Sequence, residues 1–301
     1  MNAQGLPTTI PEYLDQLRAA LKGADPAMIQ DALYDAEEYL RAELAEQPGK
    51  SEAEVIASVA GSYGAPEEVA DIYRQTEVTV SRALRPPPPP PRRSWLGRFF
   101  GVAADPRTYG ALFYMLLSLA TGVFYFSWVV TGASLSVGLL ILIIGIPILL
   151  LFLMSVRLLS LVEGRIVEVL LGVRMPRRPL YTQRDKSWFK RLGELFTDAG
   201  TWTAMLYLLL MLPLGIAYFT LIVTLGSTAI ACLLSPLSLL GGNHYVFWAN
   251  GENLLDTSPW IAIVTPVAGF LLLFLTLHLA RWIGRFHGWL AKHLLVRTPV
   301  V

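Results

Sequence analysis

A run of forty-nine residues without Asp, Glu, Lys, Arg or His constrains this chain more than any other feature. The run extends from Thr108 to Val156 and is rich in Leu, Ile, Val and Phe. At about 1.5 Å of rise per helical residue, it is long enough to cross ~30 Å of hydrocarbon twice. No soluble core needs so long an uncharged segment. We therefore predict a membrane-spanning helical hairpin.

The composition supports membrane insertion and also divides the chain in two. Of the 301 residues, 54% are hydrophobic and only 16% are charged, with a mean hydropathy of +0.49, whereas soluble domains carry about 25% charged residues. Residues 1–84 hold fifteen acids and six bases, a net charge of −9, whereas residues 85–301 hold eight acids and eighteen bases, a net charge of +10. We expect these two regions to contact different solvents and different partners.

The sequence predicts neither an intramolecular disulfide nor a cleavable signal peptide. Cys232 is the single cysteine, so an intramolecular disulfide is excluded. Residues 1–30 are polar rather than basic and then apolar, which does not fit a cleavable signal peptide. The first membrane helix is therefore expected to serve as the insertion signal.

Residues 1–84 are predicted to form a small, acidic, helical domain. Apolar residues recur every three to four positions, Asp25-Pro26 is a helix-start signal, and Ser51 and Glu54 have capping-box spacing. Acids occupy the predicted outer face of the second helix, namely Asp31, Asp35, Glu37, Glu38 and Glu43. Such a run is usually a solvated face, but it is also a candidate docking surface, with Glu37, Glu38 and Glu43 as docking acids.

The same residues resemble a known signalling module. The matching patterns are Tyr13-Leu14-Asp15-Gln16-Leu17, Glu37-Glu38-Tyr39-Leu40, Ser51-Glu52-Ala53-Glu54-Val55-Ile56 and Tyr63-Gly64-Ala65-Pro66-Glu67-Glu68-Val69-Ala70. Together they resemble the HAAS domain over about residues 11–75. The resemblance implies a helical signalling domain of bacterial membrane proteins that is associated with PadR-type transcription regulators.

Residues 85–107 are predicted to link this domain to the membrane. Six consecutive prolines, Pro86 to Pro91, favour a stiff polyproline II spacer; a ligand for an SH3-like partner is the alternative. Arginines interleaved with Trp95, Phe99 and Phe100 follow the prolines, which is typical of an interfacial segment beside anionic lipid.

The membrane region is predicted to be an internal duplication, with one repeat in residues 108–176 and the other in 198–301. An amphipathic tail ends each repeat, Leu158–Arg174 in the first and Trp282–Arg297 in the second. Positions match at an offset of 93 and, after an insertion, at 123 to 124. The matches include Asp105 with Asp198, Thr108 with Thr201, Tyr114 with Tyr207, Gly122 with Gly215, Tyr125-Phe126 with Tyr218-Phe219, Gly145 with Gly269, and Arg157 with Arg281.

The distribution of bases predicts the orientation. Residues 177–197 form a basic loop, and the bases of the candidate docking or lipid-binding segment are Arg174, Arg177, Arg178, Arg184, Lys186, Lys190 and Arg191. The loop 241–259 contains no base, so the positive-inside rule places it outside and both termini in the cytoplasm. We therefore interpret Leu225–Leu240 as re-entrant or interfacial. The fold class is then all-α, with four spans in two parallel hairpin repeats related by an axis along the membrane normal.

A second resemblance covers about residues 107–297. Leu212-Pro213-Leu214-Gly215-Ile216-Ala217-Tyr218-Phe219-Thr220, Ile144-Gly145-Ile146-Pro147, Val162-Glu163-Gly164-Arg165 and Leu170-Leu171-Gly172-Val173-Arg174 are similar to the sensor domain of bacterial two-component histidine kinases. In those proteins a kinase follows the membrane domain, whereas this sequence ends at Val301 without one. The resemblance implies a sensory membrane domain, whose output module we expect at the amino-terminal end.

Few residues suggest binding or catalytic chemistry. The histidines are His244, His278, His287 and His293; the last three do not share one helical face, so we interpret them as interfacial rather than metal-binding. The outer loop offers a candidate ligand set, His244, Trp248, Glu252 and Asp256. No phosphate loop, nucleophile elbow or zinc cysteine pair is found, so we expect neither an enzyme nor a cofactor.

We therefore predict a sensor of the bacterial inner membrane that signals through residues 1–84 to a cytoplasmic regulator, such as a PadR-type protein. Membrane lipid is the other expected partner, direct nucleic-acid binding is not expected, and homo-oligomerisation is left open. A transporter subunit or lipid-handling protein is the alternative function, and a structural envelope protein is a third. The absence of Asp, Glu, Lys, Arg and His between Asp198 and His244 argues against an ion-coupled transporter.

Overall fold

The computed structural model is built from α-helices, as the sequence predicts. One two-residue antiparallel strand pair, β1 (Trp248–Ala249) and β2 (Glu252–Asn253), is the exception within the part of the chain that the structure describes. That part comprises residues 7–84, 94–142, 144–177, 193, 197–240, 248–249, 252–253 and 258–296.

The amino-terminal region contains four helices, α1 (Ile10–Ala20), α2 (Pro26–Glu46), α3 (Glu52–Ser62) and α4 (Pro66–Leu84). Thr9, Asp25 and Ser51 cap the first three by accepting hydrogen bonds from the exposed backbone amides. Ser51 and Glu54 form the predicted capping box. The Ser51 amide and hydroxyl donate to Glu54 and lower the pKa of its carboxyl group.

These helices enclose a separate apolar core. Its largest buried side chains, Tyr13, Leu17, Leu21, Leu40 and Ile56, come from α1, α2 and α3 and the turn that follows α1. The Tyr13 hydroxyl donates to the carbonyl of Gly64, and burial raises the pKa of Tyr13. The spacing of apolar residues thus predicts the inward faces correctly.

The segment before the long helices contains α5 (Trp95–Phe100) and one 3₁₀ turn (Gly101–Ala104). The remaining helices are α6 (Pro106–Leu139), α7 (Gly145–Leu171), α8 (Ala199–Leu233), α9 (Ser235–Leu240) and α10 (Ile261–Leu295). Helices α6, α7, α8 and α10 are long and apolar enough to cross a membrane, as predicted.

The segment Leu225–Leu240 differs in part from its predicted form. Residues up to Leu233 continue α8 without a break, and only Ser235–Leu240 form a separate short helix. Pro213 lies inside α8 and Pro266 inside α10, so neither proline ends its helix.

Contacts between the long helices establish their directions. Within each hairpin the helices are antiparallel, because Trp128 contacts Ser155 while Gly110 lies against Leu170, and Gly269 lies against Leu233 while His287 contacts Tyr218. Between hairpins, α10 runs parallel to α6. Along α10, Phe274, Arg281, Gly284 and His287 contact Phe99, Asp105, Ala111 and Tyr114 in that order.

Helices α6 and α8 therefore run in opposite directions where they touch. The sequence predicts two hairpins that lie side by side with α6 and α8 parallel, and the contacts correct this expectation. The two hairpin turns point away from a shared centre, at which α6 and α8 cross. The duplication itself stays a prediction.

Glycines allow α6 and α8 to approach closely at this centre. A methyl group on Gly122 would overlap the backbone carbonyl of Met211, and one on Gly215 would overlap that of Ser118. The two contacts exchange positions that are 93 residues apart. Such reciprocity is what a two-fold axis between α6 and α8 produces.

Two ion pairs between the hairpins are related by the same exchange of positions. Arg157 of α7 pairs with Asp198 at 2.6 Å, and Arg281 of α10 pairs with Asp105 at 2.9 Å. Each aspartate also caps its own helix, Asp105 for α6 and Asp198 for α8. One carboxylate thus both stabilises a helix N-terminus and fixes it to the opposite hairpin.

We predict that Gly122→Ala destabilises the membrane region, because the methyl group must push two backbones apart. Overpacking of this kind costs about 1–3 kcal/mol. Gly226→Ala in α8 is the matched control, because the added methyl meets open space. Thermal unfolding in detergent micelles, followed by circular dichroism, should show a lower midpoint for the first variant alone. Equal midpoints would contradict the close crossing.

Candidate functional site

The acidic domain is docked against the ends of α7 and α10. Asp25 pairs with Lys292 at 2.5 Å, and Asp31 pairs with Arg174 at 3.4 Å. Asp31 also accepts a hydrogen bond of 2.7 Å from the backbone amide of Arg177. These contacts join residues more than 140 positions apart and link the two oppositely charged regions of the chain.

Apolar packing accompanies these charges. Ala27, one turn before Asp31, is fully buried and belongs to the apolar core of the membrane region. After α7, Gly172 adopts a left-handed conformation (φ 69°), which reverses the chain so that Met175 packs on Gly164. The reversal presents Arg174 and Arg177 to α2. Docking therefore depends on the local turn as well as on charge.

The candidate docking acids lie elsewhere on α2. Glu37 pairs with Arg41 of the same helix at 3.0 Å, Glu43 accepts a hydrogen bond from Gln47, and Glu38 is exposed. The structure instead uses Asp31, which the sequence places on the solvated face but which is 5% exposed. Asp31 could have been identified from the sequence, because it lies six residues after the helix-capping Asp25 and on the same helical face as the apolar Ala27.

The candidate bases are described only in part. Arg174 and Arg177 contact the acidic domain, whereas Arg178, Arg184, Lys186, Lys190 and Arg191 lie outside the described residues. In the candidate outer loop, Trp248 and Glu252 belong to the small strand pair, with Trp248 opposite Asn253 and Glu252 opposite Ala249. His244 and Asp256 lie outside the described residues.

A buried polar cluster is the feature that sequence reasoning missed. Glu163 of α7 and His287 of α10 are both fully buried, although the sequence favoured an amphipathic tail and an interfacial histidine. Four tyrosines surround them, Tyr114 and Tyr125 from α6 and Tyr207 and Tyr218 from α8. Glu163 and His287 lie 124 residues apart, which is the offset of the second half of the predicted repeat, and this spacing could have identified the pair.

Tyr114 and Tyr207 bridge the carboxyl group and the imidazole. Their hydroxyls donate to Glu163 Oε1 at 2.7 and 3.2 Å and lie 2.5 and 2.8 Å from His287 Nε2. Tyr125 donates to Glu163 Oε2 at 3.0 Å, and the Tyr218 hydroxyl lies 3.3 Å from His287 Nδ1. All four long helices thus meet in one hydrogen-bonded unit.

The cluster lies close to the docking surface. Lys292 follows His287 by five residues, about 8 Å along α10, and Met175, next to Arg174, packs on Gly164. A cavity of about 80 Å³ is lined by residues of the acidic domain and of both hairpins, among them Gln30, Arg157, Met175, Asp198 and Leu295. Any shift of α7 against α10 at the cluster would displace the docking bases.

Comparisons with known proteins match both regions of the chain. The family model described as "Putative sensor" matches residues 114–295, and the HAAS model matches residues 12–71. No kinase domain is found among the matches. No curated protein and no solved structure matches the chain.

We predict that the double variant Asp25→Asn, Asp31→Asn releases the acidic domain. A hydrogen bond to a charged group contributes about 1.5–3 kcal/mol, and the variant weakens several of them. Spin labels attached to cysteines at the exposed positions Ala42 and Arg285, with Cys232 replaced by Ser, report the separation of α2 and α10 in lipid nanodiscs. The distance distribution should be narrow in the wild type and broad in the variant.

Glu37→Gln, Glu38→Gln is the matched control for charge on α2. It should leave the narrow distance distribution unchanged, because these side chains lie away from the contacts. A broad distribution in the control, or a narrow one in the docking variant, would contradict this interface.

Proposed function

Because the chain belongs to the Putative sensor family over most of its length, we propose that it is a bacterial membrane sensor with a HAAS domain as its output module. The observation that supports this proposal is the docking of the HAAS region on bases at the ends of α7 and α10. Contact with both hairpins lets the HAAS region respond to a change in either one.

We further propose that the docked face is cytoplasmic. A domain with a net charge of −9 cannot lie within hydrocarbon, since each buried unpaired charge costs several kcal/mol. The positive-inside rule then places Arg174, Arg177 and Lys292, and with them the docked acidic domain, on the cytoplasmic side.

The proposed signal is a change between docked and free states of the acidic domain. In the free state, Arg174, Arg177 and Lys292 contact anionic headgroups, worth about 1 kcal/mol per base near the surface. Exposed ion pairs contribute a similar 0–1 kcal/mol. Because the two sets of interactions are comparable, a small rearrangement of the hairpins is sufficient to change the populations of the states.

The partner that we propose is a cytoplasmic, PadR-type transcription regulator, which binds the HAAS region and in turn contacts DNA. The role of this chain is non-catalytic and requires no cofactor, its membrane is the bacterial inner membrane, and residues 85–107 act as the tether. Domain boundaries at residues 84 and 107 are part of the proposal.

Two measurements test the function. Topology reporters after Arg85, Arg184 and Val301 should report cytoplasm, and one inserted at Asn250 should report the exterior. Full-length chain in nanodiscs should bind a purified PadR-type regulator from the same organism, with an affinity that changes at least threefold in the Asp25→Asn, Asp31→Asn variant. A cytoplasmic signal at Asn250 would contradict the orientation, and a regulator that does not bind would contradict the output.

A further inference from the structure

The pair Glu163 and His287 occupies equivalent positions in the two hairpins. Tyr125 donates to Glu163, and Tyr218, 93 residues later, contacts His287 in the same way. Tyr114 and Tyr207, also 93 residues apart, contact both. The surroundings are thus nearly symmetric, whereas the central pair is not: one member is an acid and the other a base.

We propose that Glu163 and His287, bridged by Tyr114 and Tyr207, form a buried site that binds one proton. The ligand is the proton because the cluster is closely packed, with heavy-atom separations of 2.5–3.3 Å between its acid, base and phenol groups. A metal ion or an organic molecule would require these side chains to separate.

The donors and acceptors within the cluster determine which atom binds the proton. Glu163 accepts from three phenol hydroxyls, an arrangement that stabilises the carboxylate. Since Tyr114 and Tyr207 direct their hydrogens to Glu163, their oxygens accept from His287, and Nε2 must carry a hydrogen. The remaining nitrogen, Nδ1, accepts from Tyr218 when it is unprotonated and donates to Tyr218 when it is protonated.

Proton binding therefore needs no movement of heavy atoms. The new N–H bond forms at Nδ1 with a proton that hydronium in the bulk solvent supplies, leaving water, and the Tyr218 hydroxyl hydrogen rotates away. Without this proton the cluster carries one uncompensated negative charge; with it, carboxylate and imidazolium are balanced. Burial penalises the unbalanced state, so the site favours the proton.

The described groups around the pair contain no competing charge. Helix α6 contributes Tyr114 and Tyr125, and α8 contributes Tyr207 and Tyr218. The charged groups Arg157 with Asp198 and Arg281 with Asp105 form ion pairs with each other between the hairpins. Glu163 is thus the group that we expect to set the proton affinity of His287.

Loss of the proton leaves His287 unable to donate to Tyr218 and leaves the buried carboxylate unbalanced, which favours separation of α7 from α10. This consequence rests on the proposed function, because it assumes that docking of the acidic domain depends on the positions of α7 and α10. The proton site itself does not depend on it.

Nitrogen NMR of the full-length chain, labelled with ¹⁵N-histidine and placed in nanodiscs, tests the site. Imidazole nitrogen shifts distinguish the imidazolium form from the neutral form, and His287→Gln assigns the His287 signals by their loss. In the wild type, His287 should be imidazolium at pH 7 and should titrate as one proton at higher pH.

Glu163→Gln should move the midpoint of this titration by more than one pH unit toward acid, a loss of more than tenfold in proton affinity, because the balancing charge is gone. Tyr218→Phe, which removes only the Nδ1 acceptor, should move it in the same direction by a smaller amount. Glu168→Gln is the matched control, because Glu168 lies on the same helix but pairs with Arg165 and Arg177; it should leave the midpoint unchanged.

Circular dichroism and gel filtration establish that each variant is folded. A His287 that is neutral from pH 5 to pH 9 in the wild type would overturn the proposal. An unchanged midpoint in both Glu163→Gln and Tyr218→Phe would also overturn it. The regulator-binding and topology measurements are independent of this experiment, so failure of the proton site and failure of the proposed function are distinguishable.

Discussion

The close crossing of α6 and α8 is the contact on which the rest of the membrane region depends. Glycine on both helices lets the backbones touch, with Gly122 against Met211 and Gly215 against Ser118. Because the helices are antiparallel there, the crossing brings Tyr114 and Tyr207 together around Glu163 and His287. Without the crossing, the buried acid and base would lack their bridging phenols, and both groups would face apolar surroundings at high cost.

The same centre explains why the charge contacts of the acidic domain depend on how the membrane helices pack. Lys292 follows the cluster along α10 and Arg174 lies in the turn after α7, so their positions depend on how the hairpins meet. Opposite net charges bring the acidic domain to this surface, but the specific contacts come from Asp25 and Asp31 beside the buried Ala27. Exposed acids such as Glu38 add to the long-range attraction, which salt screens.

Much of this architecture follows from sequence patterns, and the failures have physical causes. Apolar runs, caps and the Ser51–Glu54 box predict the helices, because these signals are local. The placement of Lys and Arg predicts orientation but carries no information about the angle between the hairpins, so it does not predict the opposite directions of α6 and α8. Charge patterning favours Glu37 and Glu38 over Asp31, because burial against a distant turn at Gly172 has no local signature. The sequence predicts that Glu163 lies on an amphipathic tail, since acids in such a helix, here Glu163 and Glu168, are usually solvated.

The central claim is that the buried cluster and the docking surface form one energetically coupled unit. A double-mutant cycle of Asp31→Asn and Glu163→Gln tests it most directly, with the docked fraction taken from the spin-label distances between positions 42 and 285. The account predicts that the two effects on docking free energy are not additive and that their coupling is at least about 0.5 kcal/mol, because contacting networks typically show 0.5–3 kcal/mol. Additive effects would contradict the coupling of the cluster to the docking surface.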